Sequence, residues 1–212
     1  FGRDFNYQGD RQQWAYGGRA VRRAGLPYPS LRGANQLLNA SGALAALEAL
    51  GQRLPVSQQA VRQGLLNVEL AGRFQVLPGR PAVILDVAHN PHAAAVLAEN
   101  LDNMGFYPRT RAVFGMLRDK DVAGVIDKLA GRVDAWHVGG TPGARGLPGT
   151  EALQILLDRQ PGASATAYDD IAAAFDAAQG EAGADDRILV FGSFLTVAEA
   201  MRALNRQRVE PR

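Results

Sequence analysis

Cysteine is absent from the 212-residue chain, which excludes disulfides and any thiolate metal centre. No apolar run approaches the roughly 18 residues that a membrane-spanning helix needs. No signal-peptide pattern opens the chain either, so the expectation is a cytoplasmic protein with no membrane partner. Charge of one sign is scarce, the formal net charge being +2. The arginine excess gathers loosely at Arg19, Arg22, Arg23 and Arg32, without a basic helix or interleaved aromatics. That fits a solvated or phosphate-facing surface and argues against nucleic acid. Two nucleotide-binding loops are also missing. No Gly-x-x-x-x-Gly-Lys-[Ser/Thr] occurs anywhere. No Gly-x-Gly-x-x-Gly follows the apolar run at 83–87, which argues against a dehydrogenase. There is no initiator Met, and Phe1-Gly2-Arg3-Asp4-Phe5 reads as a chain entered midway through a fold.

What is present is an ordinary globular composition, 47% apolar and 21% charged, enough for one large domain or a domain plus a fragment. Residues 1–33 carry Tyr7, Trp14, Tyr16 and many Gly and Arg with no helical period, which predicts short strands and turns. Over 35–50, Leu37, Leu38, Ala40, Leu44, Ala45 and Leu47 recur at helical spacing, with Gly51 as a stop. Ser57 is placed to cap a second helix running to about residue 69, and 72–78 reads as an extended link. Strand patterns at 82–87, 111–115, 133–138, 164–168 and 187–192 then alternate with helix patterns at 91–104, 120–130, 150–159, 170–179 and 197–207. Such alternation predicts an α/β fold with a doubly wound, mostly parallel, Rossmann-like sheet. The organisation expected is a domain tail (1–33), hinge helices (34–78) and an α/β domain (79–212). Expected helix starts are Asn90, Thr150, Asp169 or Asp170, and a Thr196-x-x-Glu199 capping box; Gly105 is the expected stop of the helix at 91. The glycine-rich 139–146 stretch reads as a mobile loop.

Chemistry concentrates at Val83-Ile84-Leu85-Asp86-Val87-Ala88-His89-Asn90-Pro91. An apolar strand ends in an acid and a histidine, and Asn90 as N-cap with Pro91 at the first helical position starts a helix at once. Asp86 and His89 therefore sit at the carboxyl end of a parallel strand, where open α/β sheets bind ligands. The same edge should collect Gly115, Lys120, the 139–146 loop, Asp169 and Ser193. A carboxylate there can grip ribose hydroxyls, and a histidine can meet substrate or phosphate. Plainer roles stay open: Asp86 could cap a turn, His89 could orient Asn90, His92 reads as surface and His137 as structural.

Asp-x-Ala-His-Asn-Pro after an apolar strand resembles the signature of the folylpolyglutamate synthase/dihydrofolate synthase family, within the Mur-ligase superfamily of ATP-dependent amide ligases. Four further segments resemble that family in the same order. They are Ala71-Gly72-Arg73-Phe74, with Ala71 where the family has proline; Asn35-Gln36-Leu37-Leu38-Asn39-Ala40; Gly115-Met116-Leu117-Arg118-Asp119-Lys120-Asp121; and Gly192-Ser193-Phe194-Leu195-Thr196-Val197. The resemblance covers about residues 33–208. It implies that Arg73, Asp86 and Asn39 (with Asn35 as rival) meet ATP, and that His89 and Ser193 border the place where L-glutamate meets an acyl phosphate. It also implies dihydropteroate or a reduced folate as the acceptor, Mg2+ held mainly by an N-terminal ATPase domain outside this chain, no metal ligand here, and a monomer. With the phosphate loop missing, the chain alone should be inactive. The alternatives are another Mur-type ligase, adding amino acids to a peptidoglycan precursor, and a non-catalytic nucleotide-binding module.

Overall fold

The computed structural model describes residues 1–31, 33 and 35–209, side chains of 207–209 excepted, so Arg32 of the basic region lies outside the described residues. The chain divides into two compact units, Phe1–Leu70 and Ala71–Arg212.

In the first unit, β1 (Asn6–Gly9), β2 (Trp14–Gly17) and β3 (Arg22–Leu26) form an antiparallel sheet in that order, followed by α1 (Gln36–Ala49) and α2 (Gln58–Asn67). Trp14, Tyr16, Leu26, Leu44 and Val61 make its core. Polar groups among them are paired: Trp14 Nε1 donates to the Pro27 carbonyl at 2.7 Å. The Glu48 carboxylate accepts from Ala20 N at 2.6 Å, Val21 N at 3.1 Å and the Tyr16 hydroxyl at 2.7 Å, tying α1 to the β2–β3 connection. Burial, reinforced by Glu48, pushes the Tyr16 phenol up to about 12. Ser57 caps α2 by accepting from Ala60 N at 3.1 Å. The α1 stripe is narrower than its sequence suggests. Only Ser41 and Leu44 are buried in it, and Leu38 is 36% exposed.

The second unit is a six-stranded sheet in the order β4-β5-β9-β6-β7-β8. Its strands are β4 (Gln75–Leu77), β5 (Ala82–Asp86), β6 (Thr110–Phe114), β7 (Ala135–Gly139), β8 (Ala165–Tyr168) and β9 (Arg187–Phe191). All pair in parallel except β4, which runs antiparallel to β5 at the edge. Its helices are α3 (Pro91–Asp102), α4 (Val122–Leu129), α5 (Gly149–Arg159), α6 (Ile171–Glu181) and α7 (Phe194–Val209). The pleat of β9 sorts the layers. Leu189 and Phe191 join the core with Leu97, Val125 and Leu156 of α3, α4 and α5, while Ile188 and Val190 face Phe175 and Ala200 of α6 and α7. The doubly wound expectation therefore holds, with β4 an addition that a three-residue strand inside a presumed link does not signal.

Several local expectations are corrected. Thr196 does not open α7; it lies inside it, and its hydroxyl donates to the Gly115 carbonyl at 2.6 Å. Ser193 is the capping residue, accepting from Thr196 N at 3.0 Å. Thr150 does not cap α5, which begins at Gly149 after Pro148 with no side-chain cap. Asp170 does cap α6 through Ala173 N at 2.8 Å. The helix α3 ends before Gly105, at Asn103, whose N–H bonds the Glu99 carbonyl at 3.0 Å. The 139–146 loop is pinned, because Thr141 Oγ1 donates to the Met116 carbonyl at 2.7 Å and accepts from Leu147 N at 2.9 Å. No helix among the described residues is long and apolar enough to cross a membrane.

His137 sits in the middle of β7, 3% exposed, with Nδ1 3.1 Å from the Tyr168 hydroxyl and Nε2 without a hydrogen-bond partner. Burial pushes its imidazole below the ordinary 6.5, against the pull of the Glu181 carboxylate and with a further push from Arg111. The unfolded chain then binds the proton more tightly, so this contribution to stability is present above 6.5 and is lost as pH falls below it. The melting temperature should therefore fall more steeply between about pH 7 and about pH 5 in the native chain than in His137→Gln. Equal slopes in thermal melts across that range would show that His137 does not titrate on unfolding.

Candidate functional site

The parallel register lines up the carboxyl ends of four adjacent strands. Asp86 pairs with Phe191, Phe191 with Phe114, and Val138 with Phe114. The turns that leave these tips carry His89, Ser193, Gly115 and the start of the 139–146 loop.

Asp86 ties two of these turns together. Its Oδ1 accepts from Ala88 N at 2.7 Å and its Oδ2 from Phe74 N at 2.9 Å. The first bond shapes the turn bearing His89, and the second shapes the turn bearing Arg73. Phe74 is the one described non-glycine residue with positive φ, at 44°, and its side chain is buried. Holding such a residue in the left-handed region costs on the order of 1–3 kcal/mol, which the surrounding bonds must offset. They include Gly72 N to Gln75 Oε1 at 3.1 Å and Val87 N to the Gly72 carbonyl at 2.8 Å. Gly72 has φ +71, and a Cβ there would lie 2.8 Å from Val87 and 3.2 Å from Val197, so only glycine fits the approach. Burial raises the Asp86 carboxyl above its ordinary 3.8, opposed by the Ala88 and Phe74 N–H groups and then by the Arg73 charge.

His89 is half-buried, and its Nδ1 lies 2.8 Å from the Val87 carbonyl. A carbonyl only accepts, so Nδ1 carries the proton and Nε2 of the neutral ring holds a lone pair. Asn90 caps α3 through Ala93 N at 2.9 Å with Pro91 in the first turn, and His92 is exposed. Arg73 is exposed; its guanidinium carbon lies 5.6 Å from the centroid of the Phe194 ring. The His89 ring lies 6.4 Å from that centroid, tilted by 43°. Arg73, Asp86 and His89 thus meet at one place.

Ser193 reaches the same edge, but its hydroxyl is occupied. It accepts from Thr196 N and lies 2.8 Å from Thr196 Oγ1, and because Thr196 gives its own proton to Gly115, Ser193 is the donor in that pair. Lys120 is tied to Asp119 at 3.4 Å, and Arg145 holds the Asp119 carboxyl down at about 2. Asn39 lies in α1 of the first unit, its amide donating to Gln36 Oε1 at 3.3 Å. Asn35 precedes α1 without a side-chain capping bond. Phe194 was not singled out by sequence; the available signal was a large aromatic at the first position after a Gly-Ser turn. Among the described residues, no three His, Cys, Asp or Glu side chains gather to hold a metal ion.

The described turns belong to a known type of domain. Residues 72–194 match the family model "Mur ligase, glutamate ligase domain". The dihydrofolate synthase/folylpolyglutamate synthase of Escherichia coli (strain K12) is 39% identical over 98% of this chain and 46% of its own length. A structure described as E. coli FolC in complex with DHPP and ADP superposes with a TM-score of 0.85 at 39% identity, over 98% of this chain and 47% of that one. A bifunctional folylpolyglutamate synthase/dihydrofolate synthase with Mn, AMPPNP and L-glutamate bound gives 0.80 at 37% identity, over 96% and 46%. The chain spans about half the length of the curated relatives it matches.

If Asp86 holds both turns, Asp86→Ala leaves two backbone N–H groups without acceptors. Urea unfolding should then report a loss of about 1–3 kcal/mol. A stability equal to that of the native chain would mean that other contacts hold the turns.

Proposed function

Because the chain belongs to the Mur ligase family through its glutamate ligase domain, we propose that it forms part of an ATP-dependent acid–amino-acid ligase that adds L-glutamate to dihydropteroate or a reduced folate. On this reading residues 1–33 are the tail of an ATPase domain, 34–78 the hinge, of which 71–78 fold with the second unit as the Arg73 turn and β4, and 79–212 the C-terminal domain of a longer cytoplasmic, monomeric enzyme. The phosphate loop and the magnesium ligands then lie outside this chain. The relatives carry the substrate class, since those named above are folate enzymes rather than peptidoglycan ligases.

The reaction such a ligase performs moves the γ-phosphoryl group of ATP to a substrate carboxylate, giving an acyl phosphate and ADP. The glutamate amine then attacks the acyl carbon, phosphate leaves, and the amine loses a proton. Each step gathers negative charge that must be met by positioned donors. Arg73 supplies a planar fork matched to phosphate oxygens. Asp86 aims that fork through the Phe74 bond, and its outer lone pairs can still accept a ribose hydroxyl. His89 presents Nε2 to the incoming amine or, when protonated, to phosphate. The amino end of α3 beside it also favours an anion. Ser193 borders the glutamate position through the turn it caps, and Asn39 adds a nucleotide contact by resemblance. The observation that carries this reading is the single carboxylate, Asp86, shared by the turns bearing Arg73 and His89.

The test is phosphate release from ATP in the presence of dihydropteroate and L-glutamate. The complete enzyme should turn over and this chain alone should not, so turnover by the pure chain would overturn the domain assignment. In the complete enzyme, His89→Ala should lower kcat/KM for glutamate by at least about tenfold, some 1.4 kcal/mol of transition-state stabilisation. His92→Ala, an exposed position, should change it by less than about threefold. Equal losses from both would mean that His92 also faces the site, a loss confined to His92 would remove His89 from it, and a complete enzyme that binds ATP but never turns over would leave a non-catalytic nucleotide-binding module.

A further inference from the structure

Phe194 is a large aromatic left 59% exposed at the first position of α7, so core packing does not account for it. Its backbone is fixed from both sides. Gly192 turns at φ +117, where a Cβ would lie 2.3 Å from the Gly115 carbonyl, and Ser193 caps the helix that follows. One turn into α7, Thr196 is bonded to Gly115, and Val197 packs against the Gly72 turn that bears Arg73. The ring therefore stands at a set place beside the guanidinium, 5.6 Å away, with the His89 ring at 6.4 Å. Among the described residues Arg73 makes no hydrogen bond or ion pair; both oxygens of nearby Asp86 are engaged by backbone N–H groups.

We propose that Phe194 is a positioning residue for Arg73, its exposed ring holding the guanidinium over the ligand edge while leaving every N–H of the fork free for an anionic phosphate. A carboxylate in the same place would also orient the arginine, but it would occupy the donors and cancel the charge. An aromatic face attracts a cation without doing either. The attraction also restricts an otherwise mobile side chain before the ligand arrives, so less ordering remains for the binding step. The proposal rests on the reading of Arg73 as a nucleotide contact and adds how that contact is aimed.

The complete enzyme is assayed for ATP KM, kcat and melting temperature as Phe194→Leu, Phe194→Tyr, Arg73→Ala and the Arg73→Ala/Phe194→Leu pair. Phe194→Leu should raise the ATP KM about three- to tenfold, with kcat within about twofold and the melting temperature nearly unchanged. Phe194→Tyr keeps a ring and should restore the KM. In the pair, the loss should be no greater than for Arg73→Ala alone, because the ring acts through the arginine. A KM raised by Arg73→Ala but not by Phe194→Leu overturns this proposal alone, as do losses that multiply in the pair. A KM unmoved by Arg73→Ala overturns the nucleotide reading and this proposal together.

Discussion

A single half-buried carboxylate sets the geometry at the carboxyl edge of the sheet. Asp86 spends both oxygens on backbone N–H groups, one from Ala88 two residues on and one from Phe74 twelve residues back. Charge-assisted bonds of this kind contribute about 1.5–3 kcal/mol each. They work against the burial that raises the carboxyl's pKa and against the left-handed backbone at Phe74. The turn carrying Arg73 and the turn carrying His89 hence cannot move independently. Their shared anchor is also the last residue of β5, which is paired on both sides, so its own position is fixed by the sheet.

Strand order supplies the second half of the arrangement. The last strand, β9, inserts between β5 and β6 rather than adding to an edge. The turn after it thus emerges between the tips of β5 and β6, bringing residues 192–194 beside residues 72–74 and 89 although they are far apart in sequence. The Thr196–Gly115 bond fastens this turn to β6, and the close approach of Val197 to Gly72 fastens it to the Arg73 turn. A side chain at Gly72 would meet Val87 and Val197, and one at Gly192 would meet the Gly115 carbonyl, so either would push these turns apart.

The regular elements were legible because their causes are local. Strands buried on both faces read as short apolar runs, and Ser57, Asn90 and Asp170 cap the helices immediately following them. The misreadings share the opposite cause. Thr196 has the right chemistry for a cap, but its hydroxyl is claimed by a carbonyl 81 residues away. The glycine-rich 139–146 stretch looks mobile until the Thr141 bonds to Met116 and Leu147 are seen. β4 is visible only once β5 is there to pair with it. At the site, residue type and strand-tip position pointed to Asp86 and His89. Arg73 came through resemblance, and the Phe74 N–H that joins it to Asp86 carries no side-chain signal at all.

The arginines of the second unit are held in two ways. Several meet carboxylates: Arg132 with Asp102, Arg159 with Asp127, Arg145 with Asp119 and Arg111 with Glu181, whereas Arg187 bonds the Thr110 hydroxyl and the Leu101 carbonyl and lies 5.2 Å from the Tyr107 ring centroid. Around the Asp86 turns the partners are neutral. Asp86 bonds to N–H groups, His89 to a carbonyl, Ser193 to a threonine and a backbone N–H, and Arg73 faces an aromatic ring. Ion pairing would lock these side chains just as well, but it would occupy the donors of an arginine and offset its charge. Neutral partners fix direction and leave the donors of Arg73 open, although its charge still reaches the Asp86 carboxyl. Both ways of holding an arginine, by a carboxylate and by neutral groups, thus stand on a single sheet.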